Sequence, residues 1–324
     1  MLVSIILVTH NSLDYLKDCL AHLKKYTNCP YELIIIDNAS KDGSVAWLKN
    51  YRKTVKNNKW MKRLNIIFNK KNKFFTRAVN QGIFEAKGNY YAILNADVVV
   101  TENWLKNILK YFEILPDAAA IGPIIGGTRI ASHLLFDQSY EDNFGKLQFQ
   151  YPPDKDLQEF ARDFQKQYSG DYIEAKVLCF ACAVLKRSVV EKIGGLDKNF
   201  LLRGDDWEWC LRARVAGYGA YIAADTFILH YSRGSIDTLP STKESELNKH
   251  DGDHWLNILY SYHNPATLPQ DRILIKDIWN APFLDVSHLN PQITKLLTFE
   301  DLFTNKFPFY YSGRCRRSEH GTNR

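Results

Sequence analysis

Three groups of residues in this sequence could do chemistry together. The first is Asn95-Ala96-Asp97, directly after the apolar run Tyr90–Leu94. A carboxylate where a strand runs out points into the cleft above a sheet. Divalent Mg or Mn prefers oxygen ligands and commonly bridges one or two carboxylates to substrate phosphates. One Asp alone is a poor metal site, and Asp97 reads equally well as a cap for the helix around Trp104. The second group is Arg203-Gly204-Asp205-Asp206-Trp207-Glu208, with three carboxylates in four positions. They repel one another and are tolerated best at a helix N-terminus, where the dipole favours anions. Clustering also raises a carboxyl pKa, which suits a general base. The plainer reading is a solvated, well-capped helix start with the Trp side chains in packing. The third group is His230, which closes Phe227-Ile228-Leu229 and precedes Tyr231-Ser232-Arg233-Gly234-Ser235, a loop able to wrap phosphate. A neutral imidazole could complete a metal shell with Asp97. A lone His is more often structural, so its weight here comes from its place behind the other two groups.

The elements needed to position these groups can be read from the first 125 residues, where strand and helix patterns alternate. Leu2–Thr9 is a β-branched run of the kind buried on both faces of a parallel sheet. Asn11 or Ser12 can cap the following helix, whose Leu16, Leu20 and Leu23 have helical spacing. Glu32–Asp37 is a second strand, and Asn38–Gly43 a turn and cap cluster. Further strands are expected over Leu64–Phe68, Tyr90–Leu94 and Ala118–Ile125. Helices are expected over Val45–Tyr51, Thr76–Ala86 and Trp104–Phe112. This alternation predicts a doubly wound α/β sheet with right-handed crossovers. Ligands of such sheets sit beyond the carboxyl ends of the strands. Thr9-His10-Asn11, Asp37-Asn38 and Asn95-Ala96-Asp97 all fall there.

Residues 126–172 break the pattern and read as an insertion of loops with a short helix. Glu174–Lys186 is strand-like again. Ser188–Ile193 and Asp205–Ala216 are helical, and Tyr218–Ala223 and Phe227–His230 are two short strands. From about 236 strand patterns fade, and Trp255–Tyr260 carries a helical signal. The division expected is therefore 1–235 as one domain, made of a first half 1–125, the insertion 126–172 and a second half 173–235, and 236–324 as a helical or irregular extension.

Composition excludes several classes. At 324 residues, with 45% hydrophobic and 24% charged residues, disorder, collagen and coiled coil cannot dominate. Six cysteines are too few for a disulfide scaffold, and the lone Cys179-x-x-Cys182 has no second pair to make a zinc site. A reduced, cytoplasmic setting fits. No apolar run approaches the roughly 18 residues of a membrane span, and the apolar N-terminus reads as a strand and not a signal peptide. The formal charge of +6 is mildly basic and does not indicate nucleic acid. Ten Lys and Arg with no acid between Lys49 and Lys73 read as a solvated face, or as a peripheral contact with the anionic inner face of a cell membrane.

Taken in order, the motifs VSIILVTHN (Val3–Asn11), LIIIDNASKDG (Leu33–Gly43), AVNQG (Ala78–Gly82), LNADV (Leu94–Val98), GGLDKNF (Gly194–Phe200), GDDWEWCLR (Gly204–Arg212) and HYSRGS (His230–Ser235) resemble the family-2 inverting glycosyltransferases of GT-A type. The nearest flavour is the rhamnosyl- and galactofuranosyltransferase-like branch. The resemblance covers roughly residues 2–235 and implies that 1–235 is a catalytic domain, with 1–125 the nucleotide-binding half and 173–235 the acceptor and catalytic half. It implies a GT-A fold, a nucleotide-sugar donor (UDP- or dTDP-linked), a Mn or Mg cofactor and a saccharide, lipid-linked or protein acceptor, in surface polysaccharide or glycoconjugate assembly. It implies that Thr9 and Asn11 lie beside the nucleotide, Asp37 takes the base edge, and Asn38 or Ser40 sits near the nucleoside. Asn80 and Gly82 would line the diphosphate side. Asn95, Ala96 and Asp97 form the D-x-D element, with Asp97 and His230 holding the metal. Asp206 would be the base, with Asp205 and Glu208 as alternates.

Two departures from the family pattern stand out. Asn95 replaces the first acid of D-x-D, so metal binding rests more on Asp97. Phe180 stands where a small residue is usual, which predicts a narrower acceptor pocket. A nucleotidyltransferase would show a Gly-rich, basic signature after the first strand, which Thr9-His10-Asn11-Ser12 lacks. A non-catalytic sugar-nucleotide-binding relative would be expected to have lost Asp97, the 205–208 acids or His230.

Overall fold

A computed structural model of the chain describes residues 1–55, 59–127, 155–175, 177–202, 204–231 and 241–262. The core of the expected insertion, Arg203, the loop with Ser232, Arg233, Gly234 and Ser235, and the chain after 262 lie outside the described residues.

The first half follows the expected alternation: β1 Val3–Thr9, α1 Leu13–Tyr26, β2 Tyr31–Asp37, α2 Ser44–Thr54, β3 Met61–Phe68, α3 Phe74–Glu85 and β4 Tyr90–Asn95. Then come β5 Val98–Val99, α4 Trp104–Ile114 and β6 Ala118–Gly127. The second half adds α5 Leu157–Gln167, β7 Tyr172–Ala175, β8 Cys182–Lys186, α6 Arg187–Ile193, α7 Asp205–Val215, β9 Gly219–His230 and α8 Ser241–Tyr262.

The strands form one mixed sheet in the order β3-β2-β1-β4-β8-β6-β9-β5, with β7 also on β9. Pairings β1–β2, β1–β4, β2–β3 and β6–β9 are parallel. Pairings β4–β8, β6–β8, β5–β9 and β7–β9 are antiparallel. A mostly parallel sheet therefore describes the first half only; beyond β4 the directions mix.

Side-chain alternation along the central strands divides the core in two. Ile5, Leu7, Leu33 and Ile35 face α1, α2 and α4. Ile6, Ile34, Ile36 and Ile93 face α3, α5, α6 and α7. Each such side chain contributes roughly 1.5–3 kcal/mol by leaving water, and burial on both faces is why these strands read as unbroken apolar runs. Helix α3 lies so close to the sheet that a Cβ on Gly82 would collide with Ile6 Cγ2.

Several local expectations change. Neither Asn11 nor Ser12 caps α1 with its side chain; Asp42 Oδ2 instead accepts the Leu13 N–H at 2.8 Å. Asp42 Oδ1 also accepts the N–H and hydroxyl of Ser44, so one carboxylate stabilises two helix starts. The two short strands expected near 218–230 are one strand, β9. Asp225, which lies between the two expected stretches, is buried and bonded to Lys110 Nζ and the Gly170 N–H. The strand-like stretch Glu174–Lys186 is two elements, with its middle forming a loop before β8. Among the described residues no helix is long and apolar enough to cross a membrane.

Candidate active site

Asp97 and His230 meet because β5 pairs antiparallel with the end of β9, which sets Val98 opposite His230. His230 Nε2 lies 3.1 Å from Asp97 Oδ1, and the two side chains are only 13% and 4% exposed. The Tyr231 N–H donates to the Asp97 carbonyl at 3.0 Å, locking this register. Asp97 Oδ2 is buried and has no hydrogen-bond partner among the described residues. Asp97 does not cap α4, since the Trp104 N–H goes to the Thr101 carbonyl.

A buried carboxylate oxygen with open acceptor capacity beside an imidazole nitrogen suits a divalent cation chemically. Among the described residues no cluster of three or more His, Cys, Asp or Glu side chains could hold one. Two protein ligands fit a cation whose remaining positions are filled by substrate phosphates.

The acids of 205–208 occupy the first turn of α7, entered through Gly204 at φ +94°. Positive φ is routine for Gly and strained for other residues. The three carboxylates are not equivalent. Glu208 makes a two-pronged ion pair with Arg212, Nε to Oε1 and Nη2 to Oε2, both 2.7 Å. The same guanidinium donates to the carbonyls of Ile193 and Gly195. Glu208, through Arg212, is thus tied to the turn after α6. Asp205 is buried, and its Oδ2 has no hydrogen-bond partner among the described residues. Burial, followed by repulsion from Asp206, Asp251 and Glu208, pushes its carboxyl well above the usual range. Asp206 alone among the three keeps partial exposure. Burial pushes it up to about 6, against the pull of the Trp207 and Phe180 N–H groups that it accepts.

The loop before β8 joins the two groups. The Asn95 N–H donates to the Ala181 carbonyl at 2.9 Å, and the Phe180 N–H donates to Asp206 Oδ2 at 3.4 Å. Asp97 and Asp206 are therefore connected through two hydrogen bonds across one short loop. Phe180 does not narrow a pocket: its ring is 1% exposed and packs edge-on against Trp209 at 5.8 Å. Its apolar ring is more stable in the core than at a polar mouth. Burial raises the Cys179 and Cys182 thiols on either side of it.

On the other flank, Thr9 and Asp37 end β1 and β2 in register. Asp37 is 0% exposed. Its Oδ1 accepts the Ser40 N–H at 3.1 Å, while Oδ2 has no partner among the described residues. Thr9 Oγ1 is 2.9 Å from Ser12 Oγ. Asn11, at φ +51°, gives its N–H to Ser40 Oγ and accepts the Lys41 N–H. Asn38 is spent on the neighbouring loop: its amide contacts Asn69, Asn72, Lys73 N–H and the Phe74 carbonyl. Asn80 makes two bonds to the Leu196 backbone, at 2.7 and 2.9 Å. Gly82 lies under the sheet against Ile6. Asn80 thus braces the 194–196 turn, and Gly82 lets α3 approach the sheet. Asn95 is half-buried, and Ala96 is buried beside Asp97. Within the turn and cap cluster expected over Asn38–Gly43, Asp42 is the side chain that caps.

Helices on both faces of a mixed sheet, with an acid at the end of the fourth strand, define a GT-A-type transferase fold. The family model for "Glycosyl transferase family 2" matches residues 4–194, and the chain belongs to that family. It is 24% identical over 234 residues to glycosyltransferase AglE of Haloferax volcanii, covering 71% of this chain and 67% of that protein. It is 29% identical over 121 residues to an uncharacterized glycosyltransferase of Haemophilus influenzae, covering 37% of this chain and 36% of that one. The chain thus spans about a third of the length of the Haemophilus relative. Its fold is similar to that of the mannosyltransferase PcManGT of Pyrobaculum calidifontis, solved with GDP-Man and Mn2+. The TM-score is 0.58 at 15% identity, over 91% of this chain and 78% of that one.

Proposed function

We propose that this protein is a metal-dependent inverting glycosyltransferase that moves a sugar from a UDP- or dTDP-linked donor to a hydroxyl acceptor. The observation that carries the reading is the Asp97–His230 pair, with its open carboxylate oxygen, joined through the 179–182 loop to the desolvated Asp206. Asp97 and His230 would hold Mn or Mg. A divalent cation there supplies positive charge to a departing diphosphate.

Asp37, with Oδ2 open, would accept an N–H from the nucleobase edge. Thr9, bonded to Ser12, and Asn11, bonded to Ser40, would shape the wall beside it. Asp206 would take the proton of the acceptor hydroxyl as that oxygen attacks the anomeric carbon from the face opposite the diphosphate. The C–O bond to the acceptor forms as the bond to the diphosphate breaks, so the anomeric configuration inverts. Burial and repulsion from Asp206 push the Asp205 carboxyl well above the usual range, which opposes two full charges side by side in this turn. Residues 1–235 carry this chemistry. The sequence flavour favours a deoxyhexosyl or galactofuranosyl donor and a saccharide, lipid-linked or protein acceptor in surface glycoconjugate assembly. The exposed Lys53, Lys62, Lys70 and Lys71 would support contact with the inner face of a membrane. Arg63 adds little, being neutralised by Glu32 and Glu85.

The test is a thermal-shift panel of UDP-, dTDP- and GDP-sugars with and without Mn, followed by NMR of the transferred sugar's anomeric configuration. A metal-requiring shift and an inverted product support the reading. Donor binding indifferent to metal, or a retained configuration, would overturn it.

A further inference from the structure

Helix α8 lies outside residues 4–194, which the family model matches. Two of its side chains are nonetheless tied to the segment that leads into the acidic helix. Asp251 is 0% exposed. Its Oδ1 accepts the Leu201 N–H at 2.9 Å and its Oδ2 accepts the Leu202 N–H at 2.7 Å. One turn further along, His254 Nε2 lies 2.8 Å from Asp197 Oδ2. The His254 ring also meets the Phe200 ring edge-on at 4.8 Å. Residues three apart share a helix face, so a single face of α8 holds both ends of segment 197–202.

Helix α3 holds the same segment from the other side. Thr76 Oγ1 donates to the Phe200 carbonyl at 2.9 Å, and Arg77 Nε donates to the Lys198 carbonyl at 3.0 Å. Soon after Leu202 the chain turns through Gly204 into Asp205 and Asp206. A carboxylate accepting two successive backbone N–H groups fixes the direction of the chain as well as its place, because both charge-assisted bonds are directional. An apolar side chain would have docked α8 without adding a further buried carboxylate near an already acidic turn.

The geometry points to Asp251 as a positioning residue: through the Leu201 and Leu202 N–H groups it sets the entry of α7, and so the place of the Asp206 carboxylate. His254 secures the other end of the segment through Asp197. Neither side chain touches the reacting atoms. The inference rests on Asp206 being the base, and it makes α8 part of the catalytic unit, which then extends past residue 235.

The experiment uses full-length Asp251→Ala, Asp251→Asn and His254→Ala, alone and with Asp206→Asn. Turnover is read as nucleoside diphosphate released from the sugar nucleotide that gives the largest thermal shift. Binding is read by calorimetry with UDP and Mn. Asp251→Ala should lower kcat by about 10- to 100-fold, as expected when a catalytic group is displaced by about an ångström. The Kd for UDP with Mn should stay within about twofold. Asp251→Asn keeps one carbonyl acceptor and should recover part of the loss. In the Asp206→Asn background, Asp251→Ala should cost nothing further, because the residue it positions is already disabled.

A kcat for Asp251→Ala within about twofold of the parent, or the same fractional loss in both backgrounds, overturns the proposal. If Asp251→Ala lacks a cooperative unfolding transition, Asp251→Asn and His254→Ala decide by the same criteria. An active Asp206→Asn would sink the base assignment first. An inactive Asp206→Asn with an active Asp251→Ala would sink only the positioning role.

Discussion

Asp206→Asn should produce an enzyme that no longer transfers sugar and is at least as stable as its parent. The stability half follows from the sign of the pKa shift. Aspartate has a reference value of 3.8, and burial raises Asp206 to about 6. A carboxyl whose folded-state pKa lies above its unfolded value destabilises the fold when ionised. That cost is fully present above about pH 6 and is recovered as pH falls from about 6 towards 4. At neutral pH it amounts to up to about 3 kcal/mol. Asn removes the charge and also relieves the repulsion that raises Asp205. Against this, Asn retains one acceptor oxygen for the 2.9 Å Trp207 N–H and places an amide against the 3.4 Å Phe180 N–H. Losing that longer bond costs about 1 kcal/mol. The balance is a gain of about 1–2 kcal/mol, or a midpoint raised by a few degrees, roughly 2–4 °C per kcal/mol for a chain of this size.

The activity half follows from the role. Removing a general base typically costs about 10²–10⁴ in rate. The parent should lose kcat/KM on the acid side with an apparent pKa of about 6, a value belonging to the coupled Asp205–Asp206 pair. The residual activity of Asp206→Asn should lack that limb. Scanning fluorimetry with and without UDP and Mn, together with a nucleotide-release assay across pH, measures all three quantities. Near-parental turnover in Asp206→Asn would refute the base assignment. A midpoint lowered by more than about 5 °C would refute the electrostatic reasoning, because Asp206 would then be a structural anchor.

Asp97→Ala should abolish Mn-dependent tightening of UDP binding in calorimetry while leaving the metal-free affinity within about twofold, since only the carboxylate beside His230 is lost. Glu208→Gln should destabilise by about 2–4 kcal/mol in urea unfolding, less than a fully buried pair because Arg212 is 23% exposed. Its surviving activity should keep the acid limb near pH 6, which a base at 208 would not allow. Gly82→Ala should cost about 1–3 kcal/mol by forcing α3 off Ile6; an unchanged midpoint would show that the helix yields without strain.

The central strands were legible because burial on both faces writes them as continuous apolar runs, and the strand-end acids were legible because ligands collect there. Strand β5 was not, because two residues carry no pattern and the pairing of Val98 with His230 comes from register. The continuity of β9 was hidden by Ala224-Asp225-Thr226, whose polarity imitates a turn. The charge is met by Lys110 from a helix 115 residues earlier, a partner no local window contains. Side-chain direction was also invisible. Asn80 and Phe180 lie in motifs that suggested a ligand wall, yet one braces the Leu196 backbone and the other fills the core. The motifs record which residues the fold needs near its mouth, without separating those that line it from those that hold it up.

The reversal of one strand explains how groups so far apart in sequence share that mouth. Strands β1, β2, β4, β6 and β9 run in one direction: β1, β2 and β4 pair parallel, β6 and β4 are each antiparallel to β8, and β9 is parallel to β6. Their carboxyl ends therefore collect Thr9, Asp37, Asn95 and His230 along a single edge. Strand β8 runs the other way, with Leu94 opposite Cys182, so it begins where its neighbours finish. The loop that feeds β8 is thereby brought to the same edge. There its Ala181 carbonyl takes the Asn95 N–H and its Phe180 N–H reaches Asp206. Were β8 parallel to β4, that loop would sit at the opposite edge, and α7 would lose its tether to the strand that presents Asp97. In this fold the antiparallel exception brings an acid on a helix within two hydrogen bonds of the strand end that carries the metal-suited acid.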